Sequence, residues 1–266
     1  MDDMTSSPYP PFDGVEPYGT VRSVADERAH RKRMCALGYR IFGAMRWGML
    51  GDGHVSARDP ELTDHFWLLD WGVPFGEATV HQLVLVGPGG EVKDADGNAT
   101  GAVNTAGYNI HHPLLAARPD VVSASHTHTA FGTPWSANVE PFRAISQEAC
   151  AFVFDQALFD DEEVEVLSID GGKRIAAALG NRKFCILRNH GLLTVGHSVD
   201  ECAWWFVTMD RTCQAQLLAE AAGTPVRIDH EMALHTQSQV GSHLSGWYSF
   251  QPLYDWIVRE EPDLLG

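Results

Sequence analysis

The 266-residue chain is predicted to fold as one α/β domain, and three observations carry that prediction. Segments of helical and of extended periodicity alternate along most of its length. One segment, Phe184-Cys185-Ile186-Leu187, is apolar throughout, the pattern of a central strand covered by helices on both faces. The length and the 44% apolar content suffice for one large core.

Element by element, residues 1–22 read as a flexible arm: Pro8, Pro10, Pro11 and Pro17 flank Tyr9, Phe12 and Tyr18, aromatics able to dock on the body or on a neighbouring subunit. From Ser23 to Trp47 the spacing of Leu37, Ile41, Phe42 and Met45 predicts a helix, stopped by Gly48 and Gly51. His54 to Arg58 and His65 to Leu69 read as strands separated by an Asp-Pro turn, and Leu83 to Val86 as a third before Pro88-Gly89-Gly90. A helix is expected over His111 to Arg118, with Pro113 in its first turn and Pro119 beyond its end, then a strand from Val121 to His126. Further on, Gln147 to Phe154 reads as helix, Val164 to Leu167 as strand, and Lys173 to Leu179 as a short helix closed by Gly180. Phe184 to Leu187 follows, then a long helix from Val199 to Ala221. The domain is expected to span residues 23–225, with 226–266 a tail packed on it or on a neighbouring subunit.

Composition excludes several functions. A net charge of -16 repels nucleic-acid phosphates and anionic membranes. It does not exclude a small anionic substrate, because a metal ion reverses the potential locally. No apolar run approaches the roughly 20 residues of a membrane span and no signal-peptide pattern opens the chain, so a soluble cytoplasmic protein is expected. Cys35, Cys150, Cys185, Cys202 and Cys213 show no CxxC spacing and read as reduced core thiols.

Chemistry concentrates in Ser123-Ala124-Ser125-His126-Thr127-His128. In an extended chain residues i and i+2 point the same way, so His126 and His128 converge on one point, either as a metal site or as a polar strand end. A catalytic ion normally takes three protein ligands and keeps a position open. His190, at the end of the apolar strand and followed by Gly191, is the third candidate.

Three segments in order, Gly72-Val73-Pro74, Ala117-Arg118-Pro119-Asp120-Val121-Val122-Ser123-Ala124-Ser125-His126-Thr127-His128 and Arg188-Asn189-His190-Gly191-Leu192-Leu193, resemble the class II aldolase and adducin family. The resemblance covers roughly residues 25 to 225. It implies a three-layer α/β/α fold with a central mixed sheet, and His126, His128 and His190 as ligands of one divalent metal ion per subunit, Fe(II) or Zn(II). It also implies a homotetramer with the active site at a subunit boundary.

Departures from the family's sugar-phosphate aldolases carry information. Their catalytic glutamate aligns with Gly107, which has no proton acceptor, and Asn104 to His111 resembles the adducin-like branch. Their phosphate cradle aligns with Gly53-His54, Trp71-Gly72, Thr105 and Ala106, and an indole offers phosphate no hydroxyl. Trp71 and Tyr108 suit an aromatic substrate instead. Substrate contacts are therefore expected from Trp71, Gly72, Thr105, Gly107 and Arg188, with Arg143 and Arg118 as further carboxylate partners. Glu148 is the first candidate for the missing base, followed by His54 and Tyr108.

Three readings follow. The first is a zinc- or manganese-dependent lyase or epimerase acting on a hydroxy-carbonyl compound. The second is an iron(II) oxygenase that decarboxylates an aryl 2-oxo acid with dioxygen and needs no protein base. It resembles the aminocoumarin-antibiotic pathway enzymes of the family, non-haem iron proteins that turn a prenylated 4-hydroxyphenylpyruvate into a benzoate in secondary metabolism. The third is a non-catalytic assembly protein like adducin, against which the three histidines speak. In the tail, His243 and Tyr248 are candidates to reach a neighbouring pocket, while His197, His230 and His235 have no spacing partner.

Overall fold

Ser23 opens the first helix. Its hydroxyl accepts the Asp26 amide and caps α1 (Val24–Ala44), with Asp26 and Glu27 placed against the positive end of the helix dipole. The computed structural model describes residues 15–265 apart from 50, 95 and 96, and the arm predicted over 1–22 falls mostly outside them. Of its aromatics, Tyr18 is described, and its ring meets Trp247 at 5.6 Å.

After α1 come β1 (Gly53–Arg58), β2 (Phe66–Leu69), β3 (Leu83–Val86) and β4 (Val92–Lys93), an antiparallel meander. Then follow α2 (Thr105–Ala117), β5 (Ser123–Thr127), α3 (Gly132–Ser136), α4 (Gln147–Cys150), β6 (Gln156–Phe159), α5 (Ile169–Leu179), β7 (Phe184–Leu187), β8 (Gly191–Gly196) and α6 (Val199–Ala222). Among the described residues these strands form one sheet ordered β4-β3-β2-β1-β5-β8-β7-β6. Only β6 and β7 run parallel, which makes the sheet mixed.

Alternation along the strands builds two cores. Phe184 and Ile186 of β7 join Val55, Ala57 and Leu192 beneath α1 and α6. Cys185 and Leu187 join Ala124, Leu193 and Val195 beneath α2 and α5. Helices therefore cover both faces, and the fold is three-layered α/β/α. The α2 and α5 helices approach closely: a Cβ on Gly172 would lie 1.8 Å from the Asn109 carbonyl oxygen. Pro113, four residues on, has no N–H to offer that carbonyl. Arg58 reaches from β1 to the carbonyls of Leu115 and Arg118 at the far end of α2.

Several expectations are corrected. The α2 helix begins at Thr105, six residues before the expected start, because the Asn104 side chain caps it by accepting the amides of Ala106 and Gly107. Pro113 is therefore interior. The helix expected over Gln147 to Phe154 keeps only its first turn as α-helix, and the chain turns into β6. Val164 to Leu167 is not a strand: Leu167 is exposed and no neighbouring strand pairs with the segment. The strand β7 is buried on both faces, as predicted, but lies one place from the sheet edge rather than at its centre. Gly191 to Gly196 forms β8, unpredicted, so that Arg188 to His190 are a hairpin turn.

Residues beyond 225 fold as α7 (His230–Val240) and α8 (His243–Glu260). Phe250 and Ile257 of α8 join the core, and Gly246 lets α8 approach the Trp205 indole. All five cysteines are free and buried. No helix among the described residues is long and apolar enough to cross a membrane.

Candidate metal centre

His126 follows Ala124 by two residues on β5 and so points to the face covered by α2 and α5. His128 lies one residue past the strand, its amide bonded to the Asp52 carbonyl. The segment after it is anchored to α6 by Asp210, which accepts the Thr129 hydroxyl and the Gly132 amide. His190 arrives from the opposite side. Asn189, at φ 53°, turns the chain between β7 and β8, and pairing of Thr127 with Leu192 puts that turn beside the end of β5.

The three rings meet with centroids 5.5 Å (His126 to His128), 4.6 Å (His126 to His190) and 5.1 Å (His128 to His190) apart. One nitrogen from each lies within 4.8 Å of the others. His126 Nδ1 is 2.7 Å from the Leu192 carbonyl, an acceptor only, so that nitrogen carries the hydrogen and Nε2 keeps its lone pair. His128 Nδ1 faces the Asp52 carboxylate at 3.7 Å, the kind of outer partner that orients a ligating imidazole. Burial pushes His190 down to about 4, helped by His128, and His126 well below its ordinary value, so both rings are neutral and able to coordinate. The donor set fits one divalent ion with positions left open.

A second histidine pair adjoins the first. Cross-strand register sets His54 opposite His126, with ring centroids 5.1 Å apart. His54 Nδ1 is 2.6 Å from His111 Nε2, and His111 Nδ1 is 2.5 Å from the Ser56 hydroxyl. Burial, reinforced by the neighbouring histidines, keeps His54 well below its ordinary pKa, and burial with His126 brings His111 to about 3. The direction of the Ser56 hydroxyl hydrogen therefore decides whether His54 Nε2 bears a hydrogen or a lone pair.

Gly107 explains its own identity here. A Cβ at that position would stand 3.0 Å from Cδ2 and 3.1 Å from Cγ of His54. The imidazole occupies the space into which a side chain at 107 would start. Beside it a narrow cleft of about 30 Å3 is lined by Gly51, Gly53, His54, Asp70, Trp71, Gly72 and Asn104. This is room for a water or two, and the Asp70 carboxylate in its wall accepts the amides of Trp71 and Ala102. Trp71 is 56% exposed at its rim. Thr105, first in α2, is exposed.

Other expected site residues are placed elsewhere. Glu148 is exposed on α4 and lines a different cavity, with Trp204, Trp205 and Arg211. The Tyr108 hydroxyl donates to the Pro88 carbonyl and its ring stacks on His112. Arg188 pairs with Asp160, Arg143 with Glu140 and Glu220, and Arg118 with Asp120, so each guanidinium already has a carboxylate within the chain. His243 bonds Glu201 and stacks on His197, and Tyr248 belongs to α8. Sequence reasoning missed His111, Ser56, Asp52 and Asp70. For Ser56 the signal was its place two residues after His54, on the same strand face.

A three-layer fold presenting three convergent imidazoles from two strand ends defines an α/β protein of the class II aldolase type, with a donor set that could hold a metal ion. The family described as "Class II Aldolase and Adducin N-terminal domain" matches residues 32–217, and the chain belongs to that family. The decarboxylase NovR of Streptomyces niveus is 40% identical over 90% of this chain and 88% of its own length. The 4-hydroxy-3-prenylphenylpyruvate oxygenase/4-hydroxy-3-prenylbenzoate synthase of Streptomyces roseochromogenus subsp. oscitans is 40% identical over 90% of this chain and 86% of its own. Among solved structures, an L-fuculose 1-phosphate aldolase from Glaciozyma antarctica PI12 superposes with a TM-score of 0.83 at 36% identity, covering 92% of this chain and 95% of that one. The fold of these aldolases implies a divalent metal ion, and His126, His128 and His190 form a group that could hold one.

Proposed function

We propose that the chain is an iron(II)-dependent enzyme that oxidatively decarboxylates an aryl 2-oxo acid, of the prenylated 4-hydroxyphenylpyruvate kind, to a benzoate. What supports this most is the 40% identity, over nine-tenths of the chain, to two Streptomyces proteins whose names describe a decarboxylase and such an oxygenase. Shortening an arylpyruvate to a benzoate removes two carbons and adds oxygen, so dioxygen is the natural co-substrate. In this reading His126, His128 and His190 hold the ion, and iron(II) supplies the chelation of the 2-oxo acid and the electron chemistry that dioxygen needs.

The chain's own residues then orient and exclude. Leu192 holds the His126 ring in the coordinating tautomer, and the Asp52 carboxylate faces His128. His54 handles any proton at the substrate, with His111 and Ser56 behind it. The exposed Trp71 face receives the aryl group. Because His128 faces solvent and each of the three arginines has its own carboxylate, we infer that a neighbouring subunit of a homotetramer completes the site.

The alternative is a zinc lyase acting on a hydroxy-carbonyl compound, favoured by the likeness to the fuculose phosphate aldolase. Gly107 packed on His54 weighs against it, since no carboxylate can grow from that position without displacing the ring. The deciding experiment is metal analysis of protein purified without oxygen, followed by oxygen uptake with aryl pyruvates and added Fe(II). Uptake matched by release of carbon dioxide supports the proposal. Stoichiometric zinc with no uptake overturns it.

A further inference from the structure

Away from the three histidines, the start of α6 carries a buried carboxylate with an unusual set of neighbours. Glu201 has a fully buried side chain and no lysine or arginine partner among the described residues. It accepts the amides of His197 and Ser198 as part of the helix-capping box, and His243 Nδ1 stands 2.8 Å from its Oε2. The imidazoles of His197 and His243 lie face to face, 3.6 Å between centroids and 15° from parallel. Two imidazolium ions cannot share that geometry without strong repulsion, so at least one ring is neutral, the form that binds metal. Asp120 adds a carboxylate oxygen 3.4 Å from His197 Nε2.

We propose that His197, Glu201 and His243 form a second divalent-metal site that clamps α8 to the first turn of α6. One ligand atom from each of the three lies within 4.8 Å of the others. Ligands about 2.0–2.2 Å from a common zinc ion lie at most about 4 Å apart and imidazole lone pairs lie in the ring planes, so the site closes when the stacked rings of His197 and His243 turn out of their near-parallel arrangement toward one point. Two imidazoles and one carboxylate suit zinc or another first-row ion, and a buried carboxylate with no lysine or arginine partner among the described residues supplies charge that a divalent cation neutralises. A cleft of about 180 Å3, lined by Tyr18, His30, His197, Ser198 and Trp247, opens beside it and leaves a coordination position to solvent. The site joins α6 to a helix that lies outside the matched family region, and its consequence is a metal-dependent docking of α8.

The test uses the full chain, stripped of metal and titrated with Zn(II), with bound metal counted and thermal unfolding followed. Wild type is expected to bind about two equivalents, and His243→Gln about one, since Gln keeps a hydrogen bond to Glu201 but is a poor zinc ligand. Glu201→Gln, which preserves the capping box, is expected to behave like His243→Gln. In His126→Ala, zinc is expected still to bind and to raise Tm, and adding His243→Gln removes that rise. Wild type binding only about one equivalent, with His126→Ala binding none, overturns the proposal, as does an unchanged count in both Gln variants. None of these outcomes depends on which reaction the first site performs.

Discussion

Replacing Gly107 by alanine probes the contact that sets this site apart from a sugar-phosphate aldolase. In a helix such a change ordinarily stabilises by about 0.8–1 kcal/mol. Here the new methyl would lie 3.0 Å, 3.1 Å and 3.4 Å from Cδ2, Cγ and Cβ of His54, where carbon contacts prefer about 3.5–4.0 Å. The ring cannot simply swing aside. It is buried, its own Cβ is among the crowded atoms, and its Nδ1 is held 2.6 Å from His111. Overpacking of this kind costs about 1–3 kcal/mol, so the net expectation is a loss of about 0–2 kcal/mol. For a chain of this length that is a fall in Tm of up to about 4–8 °C, where helix propensity alone would raise it by about 2–4 °C. Thermal unfolding measures the first quantity, and oxygen uptake with an aryl pyruvate should fall with it as His54 is displaced. A variant that melts higher than wild type with undiminished turnover would refute the argument that His54 fills the space at position 107.

Four further outcomes are expected. Alanine at His126, His128 or His190, each in the His243→Gln background, should abolish metal binding with little change in circular dichroism, and retention of a full equivalent by any of them removes that residue from the ligand set. Asp52→Asn should weaken metal affinity there by about 10–100-fold, read by competition with a chelator, and an unchanged affinity would mean the 3.7 Å contact does not orient His128. Burial alone would raise the Asp59 pKa, but Arg28, the amides of Leu62 and Glu61 and the Trp67 indole bring it down to about 2. Its folded pKa thus lies below the unfolded value, so about 2 kcal/mol of stability is present above pH 4 and is lost as pH falls toward 2; Asp59→Asn should flatten that part of a Tm-against-pH curve. Gly172→Ala drives a methyl onto the Asn109 carbonyl oxygen and should cost about 3 kcal/mol in denaturant unfolding; a neutral result would mean α5 slides over α2 freely.

Legibility in the sequence tracked how local each feature is. The α1 and α6 helices were readable to within a few residues because capping by Ser23 and Ser198 and the spacing of apolar residues are local signals. The start of α2 was not, since only Asn104 bonding back to two amides marks it, and Pro113 suggested a later beginning. The strands β6 and β8 escaped because Gln156–Phe159 closely follows a segment that reads as helix, and Gly191–Gly196 has a glycine at each end and stands only three residues after β7. Val164 to Leu167 reads as β-forming by composition, yet no edge of the sheet accepts it.

The same division holds at the metal centre. The His126 and His128 pair is legible in the sequence because alternation along a strand is a property of adjacent residues, and the family resemblance marks Gly107 as the place where a base is missing. Only the tertiary structure decided what that absence means. Pairing of β1 with β5 and docking of α2 over both bring His54, Gly107 and His111 together, and the carboxylate position is filled by an imidazole rather than left open. Those contacts join residues as many as 72 positions apart, from His54 to His126, and strand register and helix placement follow from the packing of the whole chain rather than from any segment of it.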